Sequence, residues 1–242
     1  MSAKLVTYET HEGVAKIGLN DPSRLNALSR ALVSDFNQVL DLAEADLKNA
    51  VIIIYGHGRA FCVGGDLKEL AGINSIPKDD FIESWERLSS CKLPVIAAVH
   101  GYAIGGGCEL MLMADYVIAT RDTKFSQPEL KFGFIPGCGA TQRLATRMGY
   151  GNAFNFIASA KQIGAASART FDLIDKITEH DSLLIAAFEL ALTWIKQGRA
   201  ELINLKSAMH GNHQQERQLF YEMVASDNAQ LRIQEFLNKE TL

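Results

Sequence analysis

The sequence predicts an α/β protein, with a layered core of mostly parallel strands followed by an all-helical end. Three observations carry that expectation. Short continuous runs of β-branched and small apolar residues recur at 51–55 (VIIIY), 94–99 (PVIAAV) and 116–119 (YVIA), the pattern of strands covered on both faces. Helical segments fall between the strands, and such alternation builds parallel sheets. Beyond about Gly149 the strand signals fade and helical patterning takes over.

Taken in order, residues 14–19 (VAKIGL) alternate apolar with small or polar side chains, as a half-buried strand does. The turn set 20–23 (NDPS) ends that strand, and Ser29 is placed to cap the helix that follows. Along this helix Leu32, Phe36, Leu40 and Ala43 recur at helical spacing and give it one buried face. The three apolar strands come next. Residues 182–197 (SLLIAAFELALTWIKQ) and 214–225 then read as helices. A chain of 242 residues can bury a sizeable core, so the expected division is a core over 1–197 and a helical extension over 198–242.

Composition excludes several classes. With 24 Lys and Arg against 28 Asp and Glu the formal charge is −4, and 48% of residues are hydrophobic, as in an ordinary globular protein. The first long helix carries Asp35, Asp41, Glu44 and Asp46 against Arg30 and Lys48, so no basic stripe invites nucleic acid. No apolar run reaches the length of a membrane span. The N-terminal residues have neither a signal-peptide core nor a transit-peptide composition, so a cytoplasmic location is expected. Cys62, Cys91, Cys108 and Cys138 show no CxxC spacing and read as buried, inert thiols of a reducing compartment. The six histidines offer no metal-ligand spacing, and His210 and His213 read as solvated.

Two glycine clusters follow buried strands and lead into helices: 56–70 (GHGRAFCVGGDLKEL) and 100–110 (HGYAIGGGCEL). Glycine lets backbone approach a ligand closely, and a helix N-terminus presents unpaired N–H groups. Two such loops on neighbouring strands can aim two donors at one oxygen, which is an oxyanion hole in physical terms. The spacing fits tight strand-to-helix turns equally well. A phosphate loop does not fit, because neither cluster ends in Gly-Lys-Ser/Thr, and no GxSxG marks a nucleophilic serine.

The strings GRAFCVGGDLKEL, AAVHGYAIGGGCELMLMADYVIAT and FSQPELKFGFIPGCGATQRL, with DPSRLNALS before them, closely resemble the enoyl-CoA hydratase/isomerase (crotonase) superfamily from about residue 13 to 150. The resemblance implies a spiral of ββα repeats with a helical C-terminal part that closes the pocket and assembles trimers or hexamers. It implies backbone donors at Gly65 and Gly106 and catalytic carboxylates at Glu109 and Glu129. Family hydratases often have alanine where Gly65 stands. Val63, Gly65, Asp66, Leu67 and Lys68 would line the thioester and its arm, with Arg24, Leu25 and Ala27 along the carrier. Coenzyme A would be part of the substrate, with no prosthetic group and no metal. By the family pattern Glu109 activates water and Glu129 serves the α-carbon. Without the resemblance Glu109 is a first-turn acid, favourable to the helix dipole, and Glu129 an ordinary loop acid. Phe125, Phe132 and Phe134 read either as an acyl-pocket wall or as plain core.

Two stretches depart from the family pattern. Residues 157–160 (IASA) and 168–174 (ARTFDLI) lack the usual glycines, and the last helix keeps only Phe236 and Lys239. That drift admits a carrier-protein-bound substrate, as in polyketide β-branching, beside free coenzyme A. Isomerisation, decarboxylation and thioester hydrolysis are the rival chemistries on the same oxyanion hole, and a non-catalytic binding protein is the rival class.

Overall fold

The computed structural model describes residues 5–71, 73 and 81–240. Its strands are β1 (Val6–His11), β2 (Val14–Leu19), β3 (Val51–Gly56), β4 (Val95–Val99), β5 (Tyr102–Ile104), β6 (Tyr116–Thr120), β7 (Lys124–Ser126), β8 (Ile163–Gly164) and β9 (Lys176–Thr178). The main sheet has the order β1-β2-β3-β4-β6-β9 and is parallel except for β1, and β5-β7-β8 form a small second sheet. Helices α1 (Arg30–Ala45), α2 (Leu67–Leu70), α3 (Phe81–Trp85) and α4 (Gly106–Leu112) interleave with the strands. After them α5 (Ala140–Met148), α6 (Tyr150–Ser159) and α7 (Ala165–Thr170) surround β8. Beyond β9 run α8 (Leu183–Ile195), α9 (Arg199–His210), α10 (His213–Val224) and α11 (Asp227–Glu240).

The period-2 geometry of the strands divides the sheet's side chains between two cores. Ile52, Ile54, Val95, Ala97, Val99 and Val117 meet Leu32, Phe36 and Leu40 of α1 on one face. Val51, Ile53, Ile96, Ala98 and Ile118 meet Leu183, Ala187 and Ala191 of α8 on the other. Both layers are needed because β3 and β4 are buried at every position. The expected cap of α1 is present: Leu32 N–H donates to Ser29 Oγ at 3.2 Å. The thiols of Cys62, Cys91, Cys108 and Cys138 are all free and buried. Burial raises those of Cys62 and Cys91 to about 12, so neither supplies a thiolate near neutral pH. His210 and His213 are exposed, as expected.

The structure differs from the sequence reading in two places. Strand β2 is covered on both faces rather than one, with only Lys16 half-buried, because β1 and β3 flank it and α1 and Ile195 of α8 lie over it. Strand β9 extends the main sheet where strand signals had faded, since three residues are too few to show a period. Of the two readings left open for Phe125, the structure supports plain core: it is wholly buried on the α1 side.

The helices after β9 are fastened unequally. Lys206 of α9 is buried, and its Nζ donates to the Leu93 carbonyl at 3.0 Å and to Asp115 Oδ2 at 2.7 Å. Helices α10 and α11 leave Phe220, Tyr221, Leu231 and Phe236 exposed. The side chain of Lys239 lies outside the described residues.

Candidate active site

The two glycine clusters meet because the loop after β3 and the turn after β4 zip together. Phe61 N–H donates to the His100 carbonyl (2.9 Å), Cys62 N–H to Tyr102 (3.0 Å) and Ile104 N–H to Cys62 (3.1 Å). A third segment joins them at Leu28, whose N–H donates to the Gly64 carbonyl at 2.8 Å and whose own carbonyl accepts from Asp66 N–H at 3.3 Å. Wholly buried Asn26 locks the crossing. Its Nδ2 donates to the Ala60 carbonyl (2.8 Å) and the His57 carbonyl (3.0 Å), while its Oδ1 accepts from Asp21 N–H (2.9 Å).

This zip leaves the Gly65 and Gly106 N–H groups without a hydrogen-bond partner among the described residues. Gly106 opens α4, where the first N–H groups have no partner within the helix. The two glycines lie side by side: a Cβ built on Gly106 would stand 3.4 Å from the Gly65 nitrogen. The Trp85 indole packs over both, within 2.6 Å of a Cβ built on Gly65 and 2.9 Å of one built on Gly106. Gly107 is glycine for close approach, since a Cβ there would meet the Cys62 carbonyl oxygen at 2.2 Å.

Both glutamates are buried and open on the cavity that these donors line. Helix α4 carries Glu109, and its Oε1 accepts from Cys138 N–H (2.8 Å) and Ala140 N–H (3.2 Å) at the start of α5. Among the described residues Oε2 has no donor. Burial pushes the Glu109 carboxyl above its ordinary value, opposed by those two amides and by Arg143. Glu129 begins a 3₁₀ turn, Glu129–Phe132, after β7. Its Oε1 lies 2.8 Å from the place where Gly105, at φ 51°, would carry a Cβ, so the carboxylate adjoins the turn that presents Gly106. Burial raises Glu129 to about 7, with the Glu109 charge adding to the rise and a backbone hydrogen bond opposing it. Wholly buried Gln127 sets its side-chain amide beside the Glu129 carboxyl, and with its nitrogen turned inward it would reach both oxygens at 3.0 and 3.1 Å.

The cavity has a volume of about 930 Å³, large enough for an extended acyl thioester. Arg24, Ala27, Val63, Gly65, Asp66, Leu67, Lys68, Gly106, Glu109 and Glu129 all line it. Leu25 is not among its lining residues. It closes the 3₁₀ turn Pro22–Arg24 at φ 53°, with its N–H on the Pro22 carbonyl, between Arg24 and Ala27, which do line the cavity. Arg24 is paired with Asp21 (2.6 Å) and Asp66 (2.9 Å), and Asp66 also caps α2 through Lys68 N–H. Phe132 and Phe134 stack with centroids 6.0 Å apart on the cavity's open side. Among the described residues no three His, Cys, Asp or Glu side chains gather to hold a metal, and no helix is long and apolar enough to cross a membrane.

Sequence reasoning missed Trp85, Gln127 and Arg143. Gln127, two residues before Glu129, and Arg143, near the end, both lie in the quoted string 125–144, whereas Trp85 lies in none of the quoted strings. Trp85 reaches the site through packing across 20 and 21 positions, on Gly65 and Gly106, and Arg143 acts through Cys138 on a carboxylate far away in sequence, which no local spacing displays.

The enoyl-CoA hydratase/isomerase family model matches residues 9–241. A probable enoyl-CoA hydratase of Rhizobium meliloti (strain 1021) is 34% identical over 94% of this chain and 93% of its own. The 2,3-dehydroadipyl-CoA hydratase of Escherichia coli (strain K12) is 34% identical over 100% of this chain and 98% of its own. An enoyl-CoA hydratase subunit I from Geobacillus kaustophilus HTA426 superposes with a TM-score of 0.93 at 31% identity, covering 97% of this chain and 95% of that one. With its layered sheet, its helical end and this likeness along nearly its whole length, the chain has the crotonase fold and is an enzyme of the enoyl-CoA hydratase/isomerase family.

Proposed function

We propose that this enzyme adds water, syn, across the 2,3-double bond of an enoyl thioester of coenzyme A, and removes it in the reverse direction. The observation that carries the reading is one cavity lined by two N–H groups without a partner among the described residues, at Gly65 and Gly106, and by two carboxylates held by different neighbours. The thioester oxygen sits between the two N–H groups, which strengthen their hold as enolate charge develops. Each such donor is worth about 3 kcal/mol of transition-state stabilisation.

The carboxylates divide the proton work. Burial raises Glu109 too, but two amides on its Oε1 oppose that rise by favouring the ionised form, and Oε2 is left to take a proton from water as the water oxygen bonds to the β-carbon. Glu129, raised to about 7, keeps a proton near neutrality and delivers it to the α-carbon. The proton left on Glu109 then returns to Glu129, directly or through solvent, and the pair is reset. Both relatives described above are named as hydratases of coenzyme A thioesters, and their chemistry is extended here to this chain.

Assembly belongs to the same reading. The exposed apolar side chains of α10 and α11 are the contact for further copies of this chain, as a trimer or a pair of trimers. In that arrangement residues 198–242 serve assembly and pocket closure.

Crotonyl-CoA tests the activity through the loss of its conjugated enoyl-thioester absorbance. Glu109→Gln and Glu129→Gln are each expected to slow that loss by roughly 10²- to 10⁴-fold. Proton exchange or double-bond migration that survives Glu109→Gln but not Glu129→Gln would replace hydration with isomerisation, which needs one shuttling carboxylate. An unmutated enzyme that turns over no enoyl-CoA, but does turn over an enoyl group on a carrier protein, would overturn the choice of carrier.

A further inference from the structure

The loop that holds Glu109 is itself held from behind. Arg143, on the first turn of α5, donates from Nη1 to the Cys138 carbonyl at 2.6 Å. The same nitrogen lies 3.5 Å from Glu86 Oε1, in the 3₁₀ turn Glu86–Ser90 that follows α3. The guanidinium packs over Gly139, where a Cβ would stand 2.2 Å from Nη1. Gly139 adopts φ 81°, the left-handed conformation that lets Cys138 N–H and Ala140 N–H turn onto one carboxylate oxygen. Glu86, Arg143, the Cys138 carbonyl, the Cys138 amide and Glu109 therefore form one continuous polar chain.

We propose that Arg143 is a positioning residue for Glu109: by gripping the Cys138 carbonyl it fixes the two amides that anchor Oε1 and so sets where Oε2 points. The functional meaning rests on the reading of Glu109 as the group that activates water. A side chain that only braced α5 would affect stability alone. One that positions Glu109 also governs how that carboxyl titrates and how well it is aimed. The charges that bear on Glu109 are Arg143, which lowers its pKa, Glu86, which raises it, and Glu129, coupled to it across the cavity.

The test follows the Glu109 carboxyl directly by carbon-13 NMR of protein labelled at the glutamate side-chain carbons, with Glu109→Gln supplying the assignment. In Arg143→Gln the Glu109 titration is expected to move up, because a cation and an anchor for its amides are both lost. In Glu86→Gln it is expected to move down, and in Arg143→Lys to stay nearer the unmutated enzyme than in Arg143→Gln. Against crotonyl-CoA, Arg143→Gln is expected to lose roughly 10- to 100-fold in kcat, with KM within about threefold and partial recovery in Arg143→Lys. A Glu109 titration that moves in neither Arg143→Gln nor Glu86→Gln overturns the proposal, whatever the melting temperatures do. Should Arg143→Gln fail to fold, Arg143→Lys decides the matter: it keeps the charge and changes the grip on the Cys138 carbonyl, so a lowered kcat with little change in KM supports the proposal and an unchanged kcat overturns it. The titrations do not require turnover, so loss of the hydratase reading and loss of the Arg143 inference register as separate results.

Discussion

Glu129 keeps its proton to about 7 in the native protein, against an ordinary value of 4.5, because burial penalises its charged form. The consequence for stability follows from linkage. Below pH 4.5 both the folded and the unfolded chain hold this proton, and the group contributes nothing. As pH rises from there to about 7 the unfolded chain releases it while the native state retains it, so native stability falls, and the deficit persists above that range. Glu129→Gln removes the ionisation and keeps the shape. Urea denaturation is expected to show the variant more stable than the unmutated enzyme at pH 8, by up to about 3 kcal/mol, and equal to it at pH 4. Equal stability at both values would mean that solvent reaches the carboxylate. At this scale Glu109, Glu129 and both donor glycines were named by the family resemblance of the strings they lie in; by local pattern alone the glutamates read as a first-turn acid and a loop acid, and the glycines fit tight turns equally well. The sequence did not display the part of Arg143, which passes through Cys138 to a carboxylate 29 positions from that residue.

Elements that bury a periodic face were legible, and elements defined by distant partners were not. The face of α1, with Leu32, Phe36, Leu40 and Ala43, reads directly from the 3.6-residue period, and Ser29 marks its start. Strand β9 has three residues and owes its place to pairing with β6, so nothing in its own text announces it. Helix α9 is a similar case. Besides buried Leu202, it is anchored by Arg199, whose Nε donates to the Asn49 carbonyl at 2.7 Å, and by Lys206, whose Nζ bonds the carbonyl of Leu93 and the carboxylate of Asp115, which also accepts from Val95 N–H at 2.7 Å. Lys206→Met keeps much of the apolar stem and deletes the charge, leaving Asp115 with its backbone donor alone. The expected cost is roughly 1–3 kcal/mol in chemical denaturation, with amide exchange quickening in α9 before it does in β3 or β4. A uniform rise in exchange would show that α9 and the sheet open as one unit.

At the scale of the whole molecule the notable quantity is apolar surface left uncovered. Phe220, Tyr221, Leu231 and Phe236 are each more than half exposed on the last two helices, and Phe132 and Ile135 are more than half exposed at the mouth of the cavity. Monomeric soluble proteins rarely leave contiguous apolar area of this kind in water. Sequence patterning marked α10 as helical but could not say what its apolar side chains face, because nothing within the described chain covers them. The proposed assembly does so with further copies of the chain. Light scattering at micromolar concentration is then expected to give about three or six times the 26.6 kDa chain mass. Phe236→Asp puts a charge on that surface, which burial against a neighbour would strongly penalise. It is expected to lower the assembled mass while leaving the far-ultraviolet spectrum of the protein unchanged. If assembly also completes the pocket, the dissociated variant loses kcat/KM on crotonyl-CoA with both glutamates intact, and raising its concentration restores activity along with mass. A 26.6 kDa species with full activity would separate the two roles and leave the cavity sufficient within one chain.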